Sequence, residues 1–552
     1  MGGPPGSQAA PLPTNLPFRL VSKTIGCGAY ASIRKAIPLN ASGPVIAVKF
    51  INKEHALKVG RLRPKQIEIE LALHASVVPH ENIIRYLSHG QTTEWIWMGM
   101  ELAEGGDLFD KIEADEGVQE DIAHFYFKQL VAAVGWCHSK GVAHRDIKPE
   151  NMLLSGAGDL KLADFGLATQ FLAPRTGERK VCGMVCGSPP YIAPEILDVG
   201  TKNCKRKQGE DKVGYDPQIS DIWSCAIVLF VLLAGNTPWD APVKEESYEY
   251  LEYLNTNGKP QDELWESIPI EALSLLRGML KVDVPMRFSL EDVKKHPWFT
   301  RRNEFLDEKG RNANPVGLAT RMLESLHIDF DRPISHSQPT NPPPHILTTF
   351  SATQPEAPIT PLSDPSPMDW ERPPRLGTTG LSSSQSSTTP QTHASTISNT
   401  LLMSYLAEDP SMSQFAPTPS VPMTLTQAAR RFPDIMPSHS LCRFLHRHTM
   451  PHFLPALLLA LHNLNIPCAP LSPSALRDSP SVTIPIRTVD ARKQPLSGSV
   501  LVERMPVPGQ VGLEVLEVRF VKAKGDPIGW RRVFKNVARF CREGLILMRD
   551  EE

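Results

Sequence analysis

Long apolar runs, targeting signals and lipidation motifs are scarce in this 552-residue sequence. No segment resembles a secretory signal, and the apolar run Ala226–Ala234 is too short to cross a bilayer. Gly6 occupies the position where a myristoylation motif has Ser or Thr. These absences predict a soluble intracellular protein.

The chain also lacks an excess of one charge and grouped cysteines. Its 58 Lys and Arg residues nearly balance 60 Asp and Glu residues, so there is no reason to expect direct binding to nucleic acid. The cysteines are scattered, and Cys182 and Cys186 have no second pair nearby. We therefore expect reduced thiols, without a zinc site or a disulfide framework.

Lysine is absent between residues 331 and 400, where 37 of 70 residues are Ser, Thr or Pro. Such a segment cannot bury enough apolar surface to offset the entropy lost on ordering, which predicts a disordered linker. The composition is globular on either side. We expect a folded domain at residues 18–299, a regulatory linker at 300–425 and a second folded domain at 440–552.

The residues that are present carry chemistry between positions 144 and 166. Asp146 can accept the proton of a hydroxyl group, and Lys148 can reach a transferring phosphoryl group. Asn151 and Asp164 supply an amide and a carboxylate oxygen, the hard ligands that Mg²⁺ prefers. The spacing indicates phosphoryl transfer from ATP.

The run His144-Arg145-Asp146-Ile147-Lys148-Pro149-Glu150-Asn151, with Asp164-Phe165-Gly166, resembles the eukaryotic Ser/Thr protein kinase family. The resemblance implies a bilobal α+β fold and a requirement for ATP and Mg²⁺. A glycine-rich loop matches at Ile25–Ile33, although Ala31 replaces the family's third glycine. Ile46-Ala47-Val48-Lys49 then makes Lys49 the phosphate-contacting lysine.

Lys49 requires a carboxylate partner on the following helix, which we expect between Lys65 and Val78. Glu68 and Glu70 are two positions apart and point to different helix faces, so only one can face the site. Helical spacing to the apolar residues that follow favours Glu70, and Glu68 is the alternative.

The resemblance also implies an adenine pocket. Met100 would be the gatekeeper, backbone groups of Glu101 and Ala103 would bind the base, Asp107 would face the ribose, and Leu153 would lie under the adenine. The implied ATP contacts are Ile25, Gly26, Gly28, Ile33, Ala47, Lys49, Met100, Glu101, Ala103, Asp107 and Leu153.

The end of the activation segment matches the family at Gly187–Glu195. Ser188 would orient Asp146 and Lys148, and Glu195 would pair with Arg287. Arg145 can bind a phosphate on the activation loop, with Thr169 and Thr176 as candidate sites, whereas the family resemblance implies activity without loop phosphorylation. Both alternatives stay open at this point.

Five Ser-Gln or Thr-Gln dipeptides lie in and just after the linker, a pattern typical of targets of phosphatidylinositol-3-kinase-like checkpoint kinases. The predicted phosphorylation sites are Ser337, Thr353, Ser384, Ser413 and Thr426. Four Ser or Thr residues followed by proline are alternative targets of proline-directed kinases: Thr360, Ser366, Thr389 and Thr418.

The region after the linker predicts a small α+β domain. An apolar helix is expected at Phe444–Leu464, and alternating residues between Val482 and Phe520 predict half-buried strands. A Lys-Gly-Asp turn at residues 524–526 precedes an amphipathic helix with a basic face. This tail resembles the kinase-associated domain of some kinases, where it packs on or restrains the kinase. Contact with anionic lipid is a less favoured alternative.

The order of kinase, Ser-Gln linker and tail resembles the checkpoint kinase one family, in the calcium/calmodulin-kinase-like group. That resemblance implies a role in the DNA-damage and replication checkpoint, cell-cycle phosphatases as substrates, and a location in the nucleus and cytoplasm. Lys205-Arg206-Lys207 is a weak nuclear-import signal. The alternatives are an energy-stress or polarity kinase with a similar tail and a catalytically silent scaffold. Asp107 and Glu150 beside the peptide groove favour substrates with Arg three residues before the acceptor.

Overall fold

The computed structural model describes residues 12–27, 31–40, 43–58, 64–205, 213–331, 406, 409–468, 479–490, 494–506 and 514–546. The chain divides into two compact units, with the boundary between Pro315 and Val316. Both units combine helices and strands, so the predicted α+β class is confirmed. Residues 332–405, the middle part of the linker predicted at 300–425, lie outside the described residues.

The first unit opens with a five-stranded antiparallel sheet in the order β1-β2-β3-β5-β4. Its strands are β1 (Phe18–Cys27), β2 (Ala31–Pro38), β3 (Ile46–Asn52), β4 (Tyr86–Gln91) and β5 (Trp95–Glu101), and two helices follow β3, α1 (Lys53–Lys58) and α2 (Pro64–Ser76). Alternation along β3 buries Val48 and Phe50 against aromatic residues on one face. The opposite face carries Lys49 and packs on Ile67 and Leu71 of α2.

The larger lobe of this unit is mainly helical. Its short strands are β6 (Gly106–Asp107), β7 (Val142–Ala143), β8 (Met152–Leu154), β9 (Leu160–Leu162) and β10 (Thr169–Gln170). Its helices are α3 (Glu120–Ser139), α4 (Pro194–Lys205), α5 (Pro217–Ala234), α6 (Tyr248–Asn255), α7 (Glu263–Glu266), α8 (Ile270–Met279), α9 (Leu290–Lys295) and α10 (Pro297–Thr300).

Helix α5 forms the centre of this lobe. Asp216 caps its start by accepting a hydrogen bond from Gln218 N, Pro217 occupies its first position, and Gly235 ends it at φ +63°. The predicted apolar run is therefore part of a longer helix. By length and composition alone α5 is sufficient to cross a membrane, but 83% of it is buried within the structure. An apolar helix buried on all sides is typical of a protein core.

The chain continues past residue 299 in an ordered path over α3. Asn303 donates to Asp121 O at 2.7 Å, Phe305 is buried, and Asn312 N donates to the Asp159 carboxylate at 2.7 Å. Helix α11 (Pro315–Glu324) follows. The predicted linker start at residue 300 is therefore too early, because these contacts use a few well-placed polar residues that composition does not reveal.

The second unit contains a four-stranded antiparallel sheet in the order β11-β14-β13-β12. Its strands are β11 (Arg443–His446), β12 (Ser481–Val489), β13 (Pro495–Pro506) and β14 (Glu514–Lys524), and its helices are α12 (Met423–Ala428), α13 (Phe432–Ile435), α14 (Met450–Asn463) and α15 (Pro527–Phe540). The alternating pattern correctly predicted strands. The helix predicted at Phe444–Leu464 begins only at Met450, because the first residues of that apolar run pair with β14 as a strand.

Helix α15 packs its aromatic face into the core of the second unit. Asp526 caps it by accepting from Gly529 N at 3.0 Å, which explains the turn before it. Trp530 and Phe534 on the apolar face of this predicted amphipathic helix are fully buried. The basic face departs from the prediction, because Arg531 and Lys535 are buried as well.

The second unit also begins earlier than residue 440. Leu406, Met412 and Phe415 belong to the same apolar core as the sheet. Ser413, a predicted phosphorylation site, is buried, and its hydroxyl accepts from Ser420 N at 2.9 Å. These apolar residues are isolated within a Ser-rich and Pro-rich segment, so composition does not reveal them. The predicted linker end at residue 425 is therefore too late.

Candidate active site

Lys49 lies at the centre of the site, between two carboxylates. Its ammonium is 2.7 Å from Glu70 Oε1 and 3.3 Å from Asp164 Oδ1. Glu70 is buried on the inner face of α2, whereas Glu68 is exposed. Burial lowers the pKa of Lys49. The charges of Asp164 and Glu70 raise this pKa by a larger amount, so it lies above its usual value. Lys49 in turn holds the pKa of Asp164 well below its usual range.

Phe165 fixes the position of Asp164 relative to α2 and His144. Its ring is 1% exposed, stacks on His74 with centroids 4.8 Å apart, and meets the edge of His144 at 5.0 Å. His74 follows Glu70 by one helical turn and bonds Ile84 O through Nε2 at 2.6 Å. The packing therefore links Asp164-Phe165-Gly166 to α2. His74 was not predicted from the sequence, although its position four residues after Glu70 was the available signal.

A second cluster surrounds the predicted base. Asp146 Oδ2 is 2.8 Å from Lys148 Nζ, and both side chains are almost fully buried. Ser188 bridges them, because its hydroxyl accepts from Lys148 at 3.1 Å and donates to Asp146 Oδ1 at 3.2 Å. Burial lowers the pKa of Lys148, but the carboxylates of Asp146 and Glu150 raise it above the usual value. Lys148 is therefore a fixed cation beside the base.

Asn151 and Asp164 fit the proposed magnesium site. Asn151 donates through Nδ2 to Asp146 O at 2.7 Å, which leaves its amide oxygen as the ligand atom. The side chain of Asp164 is 37% exposed and stays ionised beside Lys49. Among the described residues there is no group of three or more His, Cys, Asp or Glu that could enclose a metal. One carboxylate and one amide suit Mg²⁺ that shares its shell with ATP phosphates and water.

Asp221 of α5 holds the start of the catalytic loop, residues 144–151. Its carboxylate accepts from His144 N at 2.9 Å and from Arg145 N at 2.8 Å, and His138 contacts it at 2.8 Å. Arg145 has φ +65°, so these bonds stabilise a backbone conformation that is uncommon for a non-glycine residue. This role of Asp221 was not predicted from the sequence. A buried carboxylate in an otherwise apolar helix was the signal.

Arg145 is engaged without a phosphate group. Its Nε donates to Leu167 O at 2.8 Å, and Nη1 lies 3.4 Å from the hydroxyl of Tyr215. Tyr215 donates to Met184 O at 2.9 Å and so connects the catalytic loop to the activation segment. No carboxylate within the described residues forms an ion pair with Arg145. Arg145 therefore has partners within the chain without a phosphate on Thr169 or Thr176.

The strand register brings the predicted adenine contacts together. Ala47 pairs with Met100, Ile33 pairs with Lys49, and Ile46 pairs with Glu101. Across the cleft, Asp107 pairs with Leu153, and the Asp107 carboxylate accepts from Phe109 N at 2.9 Å. Ala103 is half-buried in the connection after β5.

Several predicted residues are described in part or not at all. Ile25 and Gly26 lie on β1, where Gly26 pairs with Ile33. Gly28 and the predicted phosphorylation sites Ser337, Thr353 and Ser384 lie outside the described residues. Thr426 is exposed on α12.

The activation segment is anchored by Glu195 and Arg287. The two side chains form a bidentate pair, with distances of 2.7 Å and 2.9 Å between guanidinium nitrogens and carboxylate oxygens. Arg287 also packs on the ring of Trp223. A buried bidentate pair of this kind fixes the end of the segment that carries Ser188.

The combined geometry supports in-line phosphoryl transfer. Asp146 can take a hydroxyl proton and orient the hydroxyl, while Lys148 and Lys49 supply positive charge for the phosphates. Mg²⁺, when bound, would neutralise charge on the phosphates. The chain supplies positioning and charge, and none of its side chains needs to form a covalent bond.

Comparisons with known proteins agree with this chemistry. The family described as "Protein kinase domain" matches residues 20–299. The chain is 34% identical to "Serine/threonine-protein kinase chk1" of Schizosaccharomyces pombe over 97% of this chain and 98% of that protein. It is 32% identical to "Serine/threonine-protein kinase CHK1" of Saccharomyces cerevisiae over 98% of this chain and 99% of that protein. It is also 36% identical to "CBL-interacting protein kinase 20" of Oryza sativa, but only over 55% of this chain and 60% of that protein.

Glu70 and Glu68, on opposite faces of α2, provide a matched mutational test. We expect Glu70→Gln to lower kcat/KM for peptide phosphorylation about 100-fold, because Lys49 loses the carboxylate that positions it. Glu68→Gln, on the exposed face of the same helix, should leave kcat/KM nearly unchanged. Steady-state kinetics of both variants checks this. Equal losses in the two variants would show that the identity of the paired glutamate is wrong.

His74 makes the first unit sensitive to acid. Burial lowers the pKa of His74 to about 4, against an unfolded value near 6.5, so only the unfolded state binds a proton between these values. Stability is therefore unaffected above pH 6.5 and falls below it. We expect a loss of about 2 kcal/mol between pH 8 and pH 5 from this group.

Hydrogen exchange of core amides in α3, measured across that pH range, reports the free energy of unfolding of the first unit. Because other buried histidines also titrate, the difference between wild type and His74→Gln isolates the contribution of His74. Identical pH slopes in the two proteins would contradict the prediction.

Proposed function

The chain belongs to the protein kinase family as a Ser/Thr protein kinase related to the CHK1 kinases, and from that premise we propose that it acts in the DNA-damage and replication checkpoint to arrest the cell cycle. The observation that carries the proposal is the share of this chain that each relative matches. The two yeast CHK1 proteins match the linker and tail as well as the kinase, whereas the CBL-interacting kinase matches only about half of the chain.

The alternatives receive less support. A silent scaffold does not require a buried Asp146 bonded to Lys148 and Ser188, or Lys49 held between two carboxylates. An energy-stress or polarity kinase is less favoured because of the cluster of Ser-Gln and Thr-Gln dipeptides.

We propose substrates with Arg three residues before the acceptor. Glu150 lies in the catalytic loop itself, close enough to Lys148 for its charge to act on that ammonium. Asp107 lies at the edge of the nucleotide cleft. A guanidinium on the substrate would be attracted by these carboxylates, and a carboxylate held at a fixed site favours Arg over Lys through bidentate bonding.

The selectivity ratio between two peptides that differ only by Arg or Ala at that position tests this proposal. We expect wild type to favour the Arg peptide about tenfold in kcat/KM. Glu150→Gln should reduce the ratio, while Glu308→Gln, an exposed carboxylate in a distant turn, should not. A ratio cancels any general loss of activity. A wild-type ratio near one would refute the preference.

In the proposed role, cell-cycle phosphatases are the substrates and a phosphatidylinositol-3-kinase-like checkpoint kinase phosphorylates Ser-Gln or Thr-Gln sites of the linker. The tail restrains the kinase by intramolecular contact, and the protein acts in the nucleus and cytoplasm. The supporting observations are the dipeptide cluster and the folded tail. The arrangement of Arg145 is consistent with control outside the activation loop.

Replacement of the relative in fission yeast tests the checkpoint role. Cells of Schizosaccharomyces pombe without chk1 that express this chain should delay mitosis after DNA damage, and cells that express Asp146→Asn should not, because that variant lacks the base. The measurement is the time to mitosis after irradiation. Equal rescue by both forms would favour the scaffold, and no rescue by a form active in vitro would contradict the checkpoint role.

A further inference from the structure

One face of helix α3 borders a cavity outside the catalytic centre. The cavity has a volume of about 790 Å³, and its lining residues lie between positions 79 and 310, within the first unit. It shares Glu101 with the predicted ATP contacts, whereas the ion triad, the base and the predicted metal ligands lie outside its lining. The first unit therefore has a second concave surface that the reaction does not explain.

The floor of this cavity is apolar. On α3, Ala132 lies one helical turn from Lys128 and one turn from Trp136, and its side chain is exposed. Phe299 and Leu306 add apolar surface from the end of the kinase lobe. Because Lys128 and Trp136 are two turns apart, the strip is about 12 Å long, a length that about four residues of extended chain cover. We call this surface the α3 groove.

Cations from five different elements line the α3 groove. They are Arg85 before β4, Lys128 on α3, Lys161 on β9, Lys294 on α9 and Lys309 in the segment after α10. Two carboxylates, Glu81 and Glu101, line it as well. The lining is therefore positively charged, although the formal net charge of the whole chain is −2.

Two of the five cations are neutralised within the chain. Glu101 pairs with Lys161 at 2.8 Å, and Glu291 pairs with Lys294 at 3.0 Å. The other three cations form no ion pair within the described part of the chain: Arg85, Lys128 and Lys309. Their charge is the feature of the groove that a ligand can satisfy.

Lys128 shows the cost of this uncompensated charge. Its ammonium lies over the Phe299 ring, 5.2 Å from the centroid, and burial lowers its pKa without an opposing carboxylate. In the active site, by contrast, carboxylates raise the pKa of Lys49 and of Lys148. An anion bound beside Lys128 would supply the compensation that its surroundings lack.

The wall that carries Lys309 is fixed in place. Gln129 of α3 donates to Gly310 O at 2.9 Å and to the Asp159 carboxylate at 2.7 Å, and the same carboxylate accepts from Asn312 N at 2.7 Å. These bonds hold the segment after α10 against the kinase lobe. The groove is therefore formed before a ligand arrives, which lowers the entropic cost of binding.

We propose that the α3 groove is a docking site for an acidic segment of another protein, in which Asp or Glu residues flank an aliphatic or aromatic side chain. The carboxylates would lie near Arg85, Lys128 and Lys309, and the apolar side chain would cover Ala132. A peptide fits better than a nucleic acid, because the groove combines a short apolar strip with three cations instead of a long basic surface. The inference does not depend on the proposed checkpoint role.

The test measures binding of the full chain to a fluorescein-labelled octapeptide, Glu-Asp-Leu-Glu-Asp-Phe-Glu-Asp, by fluorescence anisotropy. We expect saturable binding, and about tenfold weaker binding of the peptide in which every carboxylate is replaced by its amide. Absence of binding to the acidic peptide, or equal binding of the two peptides, would overturn the proposal.

Charge reversals locate the binding site. Arg85→Glu combined with Lys309→Glu should weaken binding of the acidic peptide about tenfold, because two cations of the groove are replaced by carboxylates. Lys259→Glu combined with Lys281→Glu makes the same change in net charge at exposed positions outside the groove and should have little effect. Equal losses in the two double variants would show general attraction between opposite charges and would overturn the proposal.

A change of the floor tests the groove without altering its charge. Ala132→Trp should weaken binding by filling the apolar strip, whereas Ala75→Trp, at an exposed position on α2, should not. Unchanged binding in Ala132→Trp would contradict the proposed position of the apolar side chain. In the unmutated chain, the acidic peptide should also slow hydrogen exchange at residues 306–310, and protection confined to other regions would overturn the proposal.

Discussion

The ion triad of Lys49, Glu70 and Asp164 is the interaction on which the rest of the active site depends. A buried ammonium requires compensation, and two carboxylates supply it from different elements, α2 and the start of the activation segment. Removing Glu70 would leave Lys49 with only the partly exposed Asp164 as its partner, so the ammonium would lose its buried anchor on α2. The triad therefore couples the position of a helix to the geometry of the metal site.

The triad is supported by packing that has no charge of its own. Phe165 fills the space between His74 and His144, so α2, the metal-binding aspartate and the catalytic loop move together. Asp221 fixes the same loop from α5. Tyr215 and Leu167 satisfy Arg145 on the remaining side. These contacts place the base, its lysine and the metal ligands in one arrangement before any substrate binds, which is the condition for electrostatic catalysis.

Much of this could be predicted from the sequence because the chemistry is encoded in short, rigidly spaced motifs. Asp146, Lys148 and Asn151 lie within one loop, and helical spacing was enough to choose Glu70. Contacts between distant segments were harder to predict. Tyr215 contacts Arg145 across 70 positions, and Ile328 N donates to Gln414 O across a segment with the composition of a linker. Composition gives an average over a window, so isolated apolar residues such as Ile328 and Met412 are not recognised as core.

The central claim is that the active site is assembled without a phosphate on the activation segment. It is tested most directly by the turnover of the full chain in magnesium and ATP, after mass spectrometry has shown Thr169 and Thr176 to be unmodified. The account predicts measurable peptide phosphorylation that Asp146→Asn lowers by about 100-fold or more. No turnover until one of those threonines is phosphorylated would contradict it.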